Sequence, residues 1–151
     1  MNNTMKIKYV LPFFLLFTMC VFGQMDRKDQ DQIRAVKSSR IATSLNLTSA
    51  EAAKFWPMYL ACEEKTYDIN YNKIRPITIK LEEKGIDSFT PKDAQLLLMQ
   101  LESAEDEIFK LKKKLMTDLR PIIGPKKVLK LRKAEDEFNR MLMNKLKAKK
   151  D

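Results

Sequence analysis

The chain has 151 residues, of which 44% are hydrophobic and 32% charged, a balance that suits amphipathic helices in one modest domain. It contains three glycines, which argues against a turn-rich β protein, and no His, which removes the commonest general base and transition-metal ligand. No phosphate-binding glycine loop and no facing pair of carboxylates is recognisable. We therefore expect a protein that is not an enzyme and uses no metal or cofactor.

The first residues predict an export signal. Two lysines near the start precede an apolar run at 10–22, which is too short to cross a bilayer comfortably. The small Gly23 fits a cleavage site before Gln24. We predict that 1–23 is a signal peptide, that the mature chain is periplasmic, and that no transmembrane segment remains after cleavage. The residues before Cys20 fit a lipidation site poorly, so a lipoprotein is not expected.

The mature chain, 24–151, is expected to form one all-helical domain. Met25 to Ser44 predicts a first helix, because acidic residues near its beginning suit a helix N-terminus. Its apolar stripe is thin and consists of Ile33, Val36 and Ile41.

A second helix is expected to begin at Thr48. The Thr48 hydroxyl can accept a hydrogen bond from the N–H of Glu51, and the Glu51 carboxylate can accept one from the N–H of Thr48, which is a capping box. Leu47 precedes this cap. Pro57 follows inside the helix, where it has no N–H to donate, so we expect the helix to bend or restart there.

Large side chains surround this proline: Phe55, Trp56, Met58 and Tyr59. One interpretation is a packed corner of the core. The other is a protein-binding site, because Trp and Tyr are over-represented in binding hot spots and Met surfaces adapt to varied partners. Cys62, the one cysteine left after signal cleavage, is expected to be buried and apolar, with an intermolecular disulfide as the alternative.

The helical pattern continues to Lys84, with a seven-residue series that predicts the buried face: Leu60, Tyr67, Ile74 and Leu81, joined by Tyr71 and Ile77. Pro76 should kink this helix or divide it. Gly85 is the expected stop.

The next helix is predicted to begin at Thr90 and Pro91. Its two seven-residue series form a coiled-coil-like seam: Ala94, Leu101, Ile108 and Leu115, with Leu97, Ala104 and Leu111. Gly124 and Pro125 predict a break and a new start. A last apolar stripe then follows: Val128, Leu131, Phe138 and Leu142. Glu135 lies on that stripe, and its partner could be Arg132 or a cation from another helix.

The positive charge is concentrated near the end of the chain. Residues 24–119 carry 16 Lys and Arg against 16 Asp and Glu, whereas residues 120–151 carry 11 against 4. A basic helix can attract nucleic acid, anionic lipid or acidic protein. Export argues against nucleic acid, and a solvated face with a basic tail is the simpler alternative.

These elements predict an all-α fold: an elongated antiparallel hairpin of long kinked helices, with a short N-terminal helix and a C-terminal helix. Long thin hairpins leave apolar surface uncovered, so we also expect a homodimer.

Short motifs resemble those of a known family. Residues 47–51 resemble the Leu-Thr-x-x-Gln motif of the Spy/CpxP-like family of small exported helical proteins. Residues 53–59 and 127–138 are similar to the branch described as sensors of ECF-type sigma factors. The chain departs from the family in having Glu51 for the Gln, a barely recognisable second copy of the motif near residues 123–127, and no His for metal sensing.

The resemblance implies a helical hairpin that dimerises into a curved cradle and binds unfolded or partner proteins without ATP. Two functions follow from it. The chain is either a chaperone-like protein of the envelope stress response or a sensor that binds one membrane signalling partner. A structural coiled-coil spacer is a third alternative.

Overall fold

A computed structural model describes residues 31–148. The predicted signal peptide and the beginning of the first helix lie outside these residues. Within them the chain is helical and contains no strand, which confirms the all-α prediction. The contacts divide the chain into two compact units, one of which is Asn46–Arg132. The other combines the residues up to Leu45 with those from Lys133 onward.

Four α-helices make up the described residues. The first, α1, covers 31–45. Then come α2 (Ser49–Ile69), a π-helical turn (Asn70–Ile74), α3 (Arg75–Lys84), a 3-10 turn (Ile86–Ser88) and α4 (Pro91–Lys147). Gly124 interrupts α4 with φ 75° and ψ 158°, a conformation that glycine adopts without steric penalty. The predicted break at this glycine is therefore confirmed.

The capping box at the start of α2 is present as predicted. The N–H of Thr48 donates to Glu51 Oε2 at 2.7 Å, and the N–H of Glu51 donates to Thr48 Oγ1 at 3.3 Å. The helix does not restart at Pro57, one of the two outcomes expected there, because α2 runs through it without interruption. Pro57 has no N–H to donate to the Ala53 carbonyl, and both residues are exposed.

Pro76 does divide the helix, and it does so through the π-helical turn. The N–H of Arg75 donates to the carbonyl of Asn70, five residues back, just before the proline that cannot donate. α3 then ends at Gly85, whose φ of 73° is left-handed and whose N–H donates to the Leu81 carbonyl at 3.0 Å.

The buried face of α2 and α3 differs from the predicted one. Of the predicted residues, Ile77 is buried, Leu60 and Tyr71 are exposed, and the rest are half-buried: Tyr67, Ile74 and Leu81. The other buried side chains are Phe55, Tyr59, Cys62 and Ile69. The seven-residue series was therefore placed on the wrong face at Leu60. Ile69 and Ile77 are eight residues apart, and the π-helical turn takes up the extra residue. The predicted burial of Cys62 is confirmed.

Two ion pairs show how the unit Asn46–Arg132 folds back on itself. Lys127 pairs with Glu51 near the start of α2, and Lys73 in the π-helical turn pairs with Glu107. Glu51 comes before Lys73 in the chain, but its partner Lys127 comes after Glu107. Pairs in this order are typical of antiparallel segments. The buried part of the α4 seam before Gly124 consists of Leu97, Ala104, Leu115, Leu119 and Ile123. Leu101, Ile108 and Leu111 are only half-buried, and Ala94 is exposed.

The other unit packs α1 against the end of α4 through Ile41, Leu45, Ala134 and Phe138, which are all buried. Glu135 has a partner on another helix, as one of the two alternatives proposed: Lys37 Nζ lies 3.8 Å from Glu135 Oε1, and both side chains are 16% exposed. A half-buried carboxylate on an apolar stripe is stabilised by such a cation.

Candidate functional site

The aromatic residues near the start of α2 form one packed cluster. The rings of Phe55 and Tyr59 are stacked with centroids 5.4 Å apart, because residues four apart share a helix face. Trp56 meets both rings edge-on, at 5.0 Å from Phe55 and 6.1 Å from Tyr59. Offset and edge-to-face pairs of this kind contribute about 0.5–1.5 kcal/mol beyond burial.

Burial decides what this cluster can do. Phe55 and Tyr59 are 0% and 1% exposed, so neither presents a surface to a partner in this conformation. Their burial agrees with the interpretation that these two residues belong to the core. Trp56 and Met58 are half-buried, and their role in protein binding stays a prediction.

Lys127, which lies in α4 after the break at Gly124, forms hydrogen bonds to the capping-box region. Its Nζ donates to Glu51 Oε2 at 2.6 Å and to the carbonyl of Asn46 at 3.1 Å. Asn46 has a left-handed φ of 43°, which Asn tolerates better than most residues. The Lys127 ammonium, followed by the N–H of Thr48, holds the pKa of the Glu51 carboxyl below its usual value. The carboxylate therefore serves as a cap and as the counter-ion of Lys127.

This geometry gives a physical reason for a carboxylate at position 51. A neutral amide could accept the hydrogen bond from Thr48, but it would bring no negative charge to Lys127. The sequence shows the capping box because its members are three residues apart. It gives no comparable signal for Lys127, which lies 76 residues from Glu51.

The connection from α3 to α4 differs from the start of α2, because several of its apolar side chains are exposed to solvent. Ile86 in the 3-10 turn is 74% exposed, and Leu96 and Met99 in the first turns of α4 are 55% and 56% exposed. Leu97 between them is buried in the seam. We call Ile86, Leu96 and Met99 the turn surface. Sequence analysis missed it, although four consecutive apolar residues at 96–99 cannot all face one side of a helix.

We also searched the described residues for metal sites, clefts and membrane-spanning helices. Among them, no group of three or more His, Cys, Asp or Glu could hold a metal ion. A shallow open cleft lies within the unit that contains α1, lined by Ser39, Arg40, Thr43, Ser44, Ala134 and Glu137. No helix in 31–148 combines the length and the apolar character needed to cross a membrane.

Comparisons of the chain with models of known protein families, with curated proteins and with solved structures found no significant match.

Proposed function

We propose that the chain is an exported, non-enzymatic protein-binding module that holds non-native proteins without ATP, in the manner of an envelope-stress chaperone. The turn surface carries this proposal. Ile86, Leu96 and Met99 are 74%, 55% and 56% exposed, although the unit to which they belong has a core of buried apolar side chains. Apolar surface left exposed in this way is typical of interaction sites.

The composition of the surroundings also supports this proposal. Charged residues follow the turn surface closely along α4, and a surface that mixes apolar and charged groups can hold an unfolded chain while the complex stays soluble. Met99 contributes an unbranched and polarisable side chain, which adapts to differently shaped partners. We further propose membership of the Spy/CpxP-like family, on the motifs at 47–51, 53–59 and 127–138.

The test is suppression of aggregation. A chemically denatured client protein is diluted into buffer with and without the purified chain, and light scattering is followed. We expect the parent to suppress scattering and the double variant Leu96→Ser with Met99→Ser to lose most of this effect. Leu129→Ser is the matched control, because Leu129 is also exposed but lies beyond Gly124. Circular dichroism must show that all the variants fold as the parent does.

Exposed cations favour a second candidate, a sensor that binds one acidic partner of an ECF sigma factor system. Lys126, Lys130 and Arg132 are all exposed on α4 after the break. A cationic face accelerates encounter with an acidic surface and makes binding sensitive to salt. If the parent suppresses no aggregation at any salt concentration, the chaperone function is refuted and this single-partner function replaces it.

A further inference from the structure

The part of α4 that follows Gly124 also carries an exposed apolar side chain, Leu129. It is 67% exposed, whereas the nearby Val128 and Leu131 are buried. Successive residues of an α-helix are turned by about 100°, so Leu129 is turned about 160° from Leu131 and lies on the solvent side of the helix. The side chain of Leu129 therefore contributes little to the core.

Cations surround this side chain. Lys126 lies three residues before Leu129 and Arg132 three residues after it, each about one turn away along the helix and about 60° to one side. Lys130 follows Leu129 directly, and all three cations are exposed. Residues 119–132 carry five basic side chains and no acidic one. We call Lys126, Leu129, Lys130 and Arg132 the basic surface.

The charges around Leu129 set it apart from the other exposed apolar residues of the unit Asn46–Arg132. Every charged residue within four positions of Leu129 is basic. Each of the other large apolar residues that are exposed in this unit has at least one acidic residue within four positions, as Phe109 has Glu105 and Asp106. An anionic partner would therefore meet repulsion beside those residues and only attraction beside Leu129.

The cations of the basic surface have no counter-ion within the described chain. Lys126, Lys130 and Arg132 form no ion pair with any residue in 31–148. Before the break, by contrast, Lys110 and Lys114 each pair with a carboxylate one turn away on the same helix. The charge of the basic surface is therefore available to a negatively charged partner.

We propose that the basic surface binds the headgroup region of a bilayer that contains anionic phospholipid. The long side chains of Lys126, Lys130 and Arg132 contact the phosphate groups, while Leu129 enters the boundary between headgroups and acyl chains. The charges require an anionic partner, and the shape of the surface favours a bilayer over an acidic protein. Leu129 projects from a convex helix, so a protein would need a pocket to receive it, whereas a bilayer accepts it anywhere along its surface.

The binding is expected to be weak, reversible and sensitive to salt. Three cations and one aliphatic side chain form a smaller anchor than a whole amphipathic helix, and salt screens the attraction of exposed charges. The inference does not depend on the proposed chaperone function, which uses the turn surface and is tested without lipid. The second candidate function uses the same cations, but vesicles contain no protein, so the two are tested separately.

Co-sedimentation with vesicles tests the cations. The mature chain, 24–151, is mixed with vesicles of phosphatidylcholine and phosphatidylglycerol in a two-to-one ratio, or of phosphatidylcholine alone, at low and at high salt. We expect binding to the anionic vesicles at low salt and none to the neutral ones. Lys126→Gln with Lys130→Gln should lower the partition coefficient roughly 25-fold, because each cation near an anionic bilayer contributes about fivefold.

The matched control for charge is Lys112→Gln with Lys113→Gln. This double variant removes the same charge from exposed residues before the break, where acidic side chains lie close by, and it should change the partition coefficient little. If it weakens binding as much as Lys126→Gln with Lys130→Gln does, net charge alone governs binding and the basic surface is not the site.

The apolar side chain has a test of its own. Leu129→Ser should lower the partition coefficient roughly tenfold. Phe109→Ser, which changes a similarly exposed residue with acidic neighbours, should not. Circular dichroism verifies that each variant is folded. A parent that does not bind anionic vesicles at low salt overturns the proposal and leaves an acidic protein as the partner of these cations. A partition coefficient that Leu129→Ser does not change also overturns it.

Discussion

The start of α2 and the connection from α3 to α4 belong to the same unit. The side chains at the start of α2 contact other groups of the chain, whereas those at the connection are exposed to solvent. At the start, the capping box, Lys127 and the ring cluster of Phe55, Trp56 and Tyr59 leave few groups without a partner inside the chain. At the connection, Ile86, Leu96 and Met99 stay in water. The first region is built to hold the fold together. The second contributes little to the fold and is available to a partner, and substitutions can test this division.

The largest effect is expected at the ring cluster. Phe55→Ala removes a fully buried ring that stacks on Tyr59, so it should lower the free energy of unfolding by about 3–5 kcal/mol. Denaturant titration followed by circular dichroism measures this. Phe109→Ala is the control for ring removal, because Phe109 is largely exposed and should cost far less. Equal losses at the two positions would mean that burial does not distinguish them.

A smaller loss is expected at the cap. Thr48→Ala removes the oxygen that accepts from the N–H of Glu51, and losing such a cap costs about 1 kcal/mol. Thr48→Ser keeps the oxygen and should restore most of the stability in the same titration. If Thr48→Ser is as unstable as Thr48→Ala, the hydroxyl is not what holds this helix start.

Acid pH should lower the stability that Glu51 contributes at the start of α2. The pKa of Glu51 is lowered in the folded chain from the ordinary 4.5, first by the Lys127 ammonium, so the ionised carboxylate favours the folded state. This contribution is complete above the ordinary pKa, declines as the pH falls below it, and is gone below the lowered value. Glu51→Gln should therefore flatten the loss of stability at acid pH, measured by thermal melts across that range. An unchanged acid profile would contradict this role of Glu51.

The smallest effect on stability is expected at the turn surface. Leu96→Ser with Met99→Ser should change the free energy of unfolding by no more than about 0.5 kcal/mol per substitution, because both side chains are already largely in solvent. A large loss would show that they pack in the folded chain, and it would remove the support for a binding role.

The features that sequence analysis predicted correctly are mostly local. The cap at Thr48, the start at Pro91, the stop at Gly85 and the break at Gly124 depend on residues within a few positions of one another. The partner of Lys127 and the choice of Lys37 for Glu135 depend on segments far apart in the chain, which no local pattern encodes.

The buried face of α2 was missed for another reason. Leu60 and Tyr67 keep a seven-residue period, but so do Tyr59 and Thr66 one position earlier. Periodicity alone could not decide between these neighbouring series. The structure buries Tyr59, whose ring stacks on Phe55, and exposes Leu60, whereas Thr66 and Tyr67 are both half-buried.

The π-helical turn Asn70–Ile74 has a consequence for chain length. It holds one residue more than an α-helical turn would over the same rise, and Ile69 and Ile77 stay on one face despite their eight-residue spacing. A chain one residue shorter in this turn could keep the same core with an ordinary helix. Alignments of future relatives should therefore open a single-residue gap between 70 and 74, and the segments on either side should align without one.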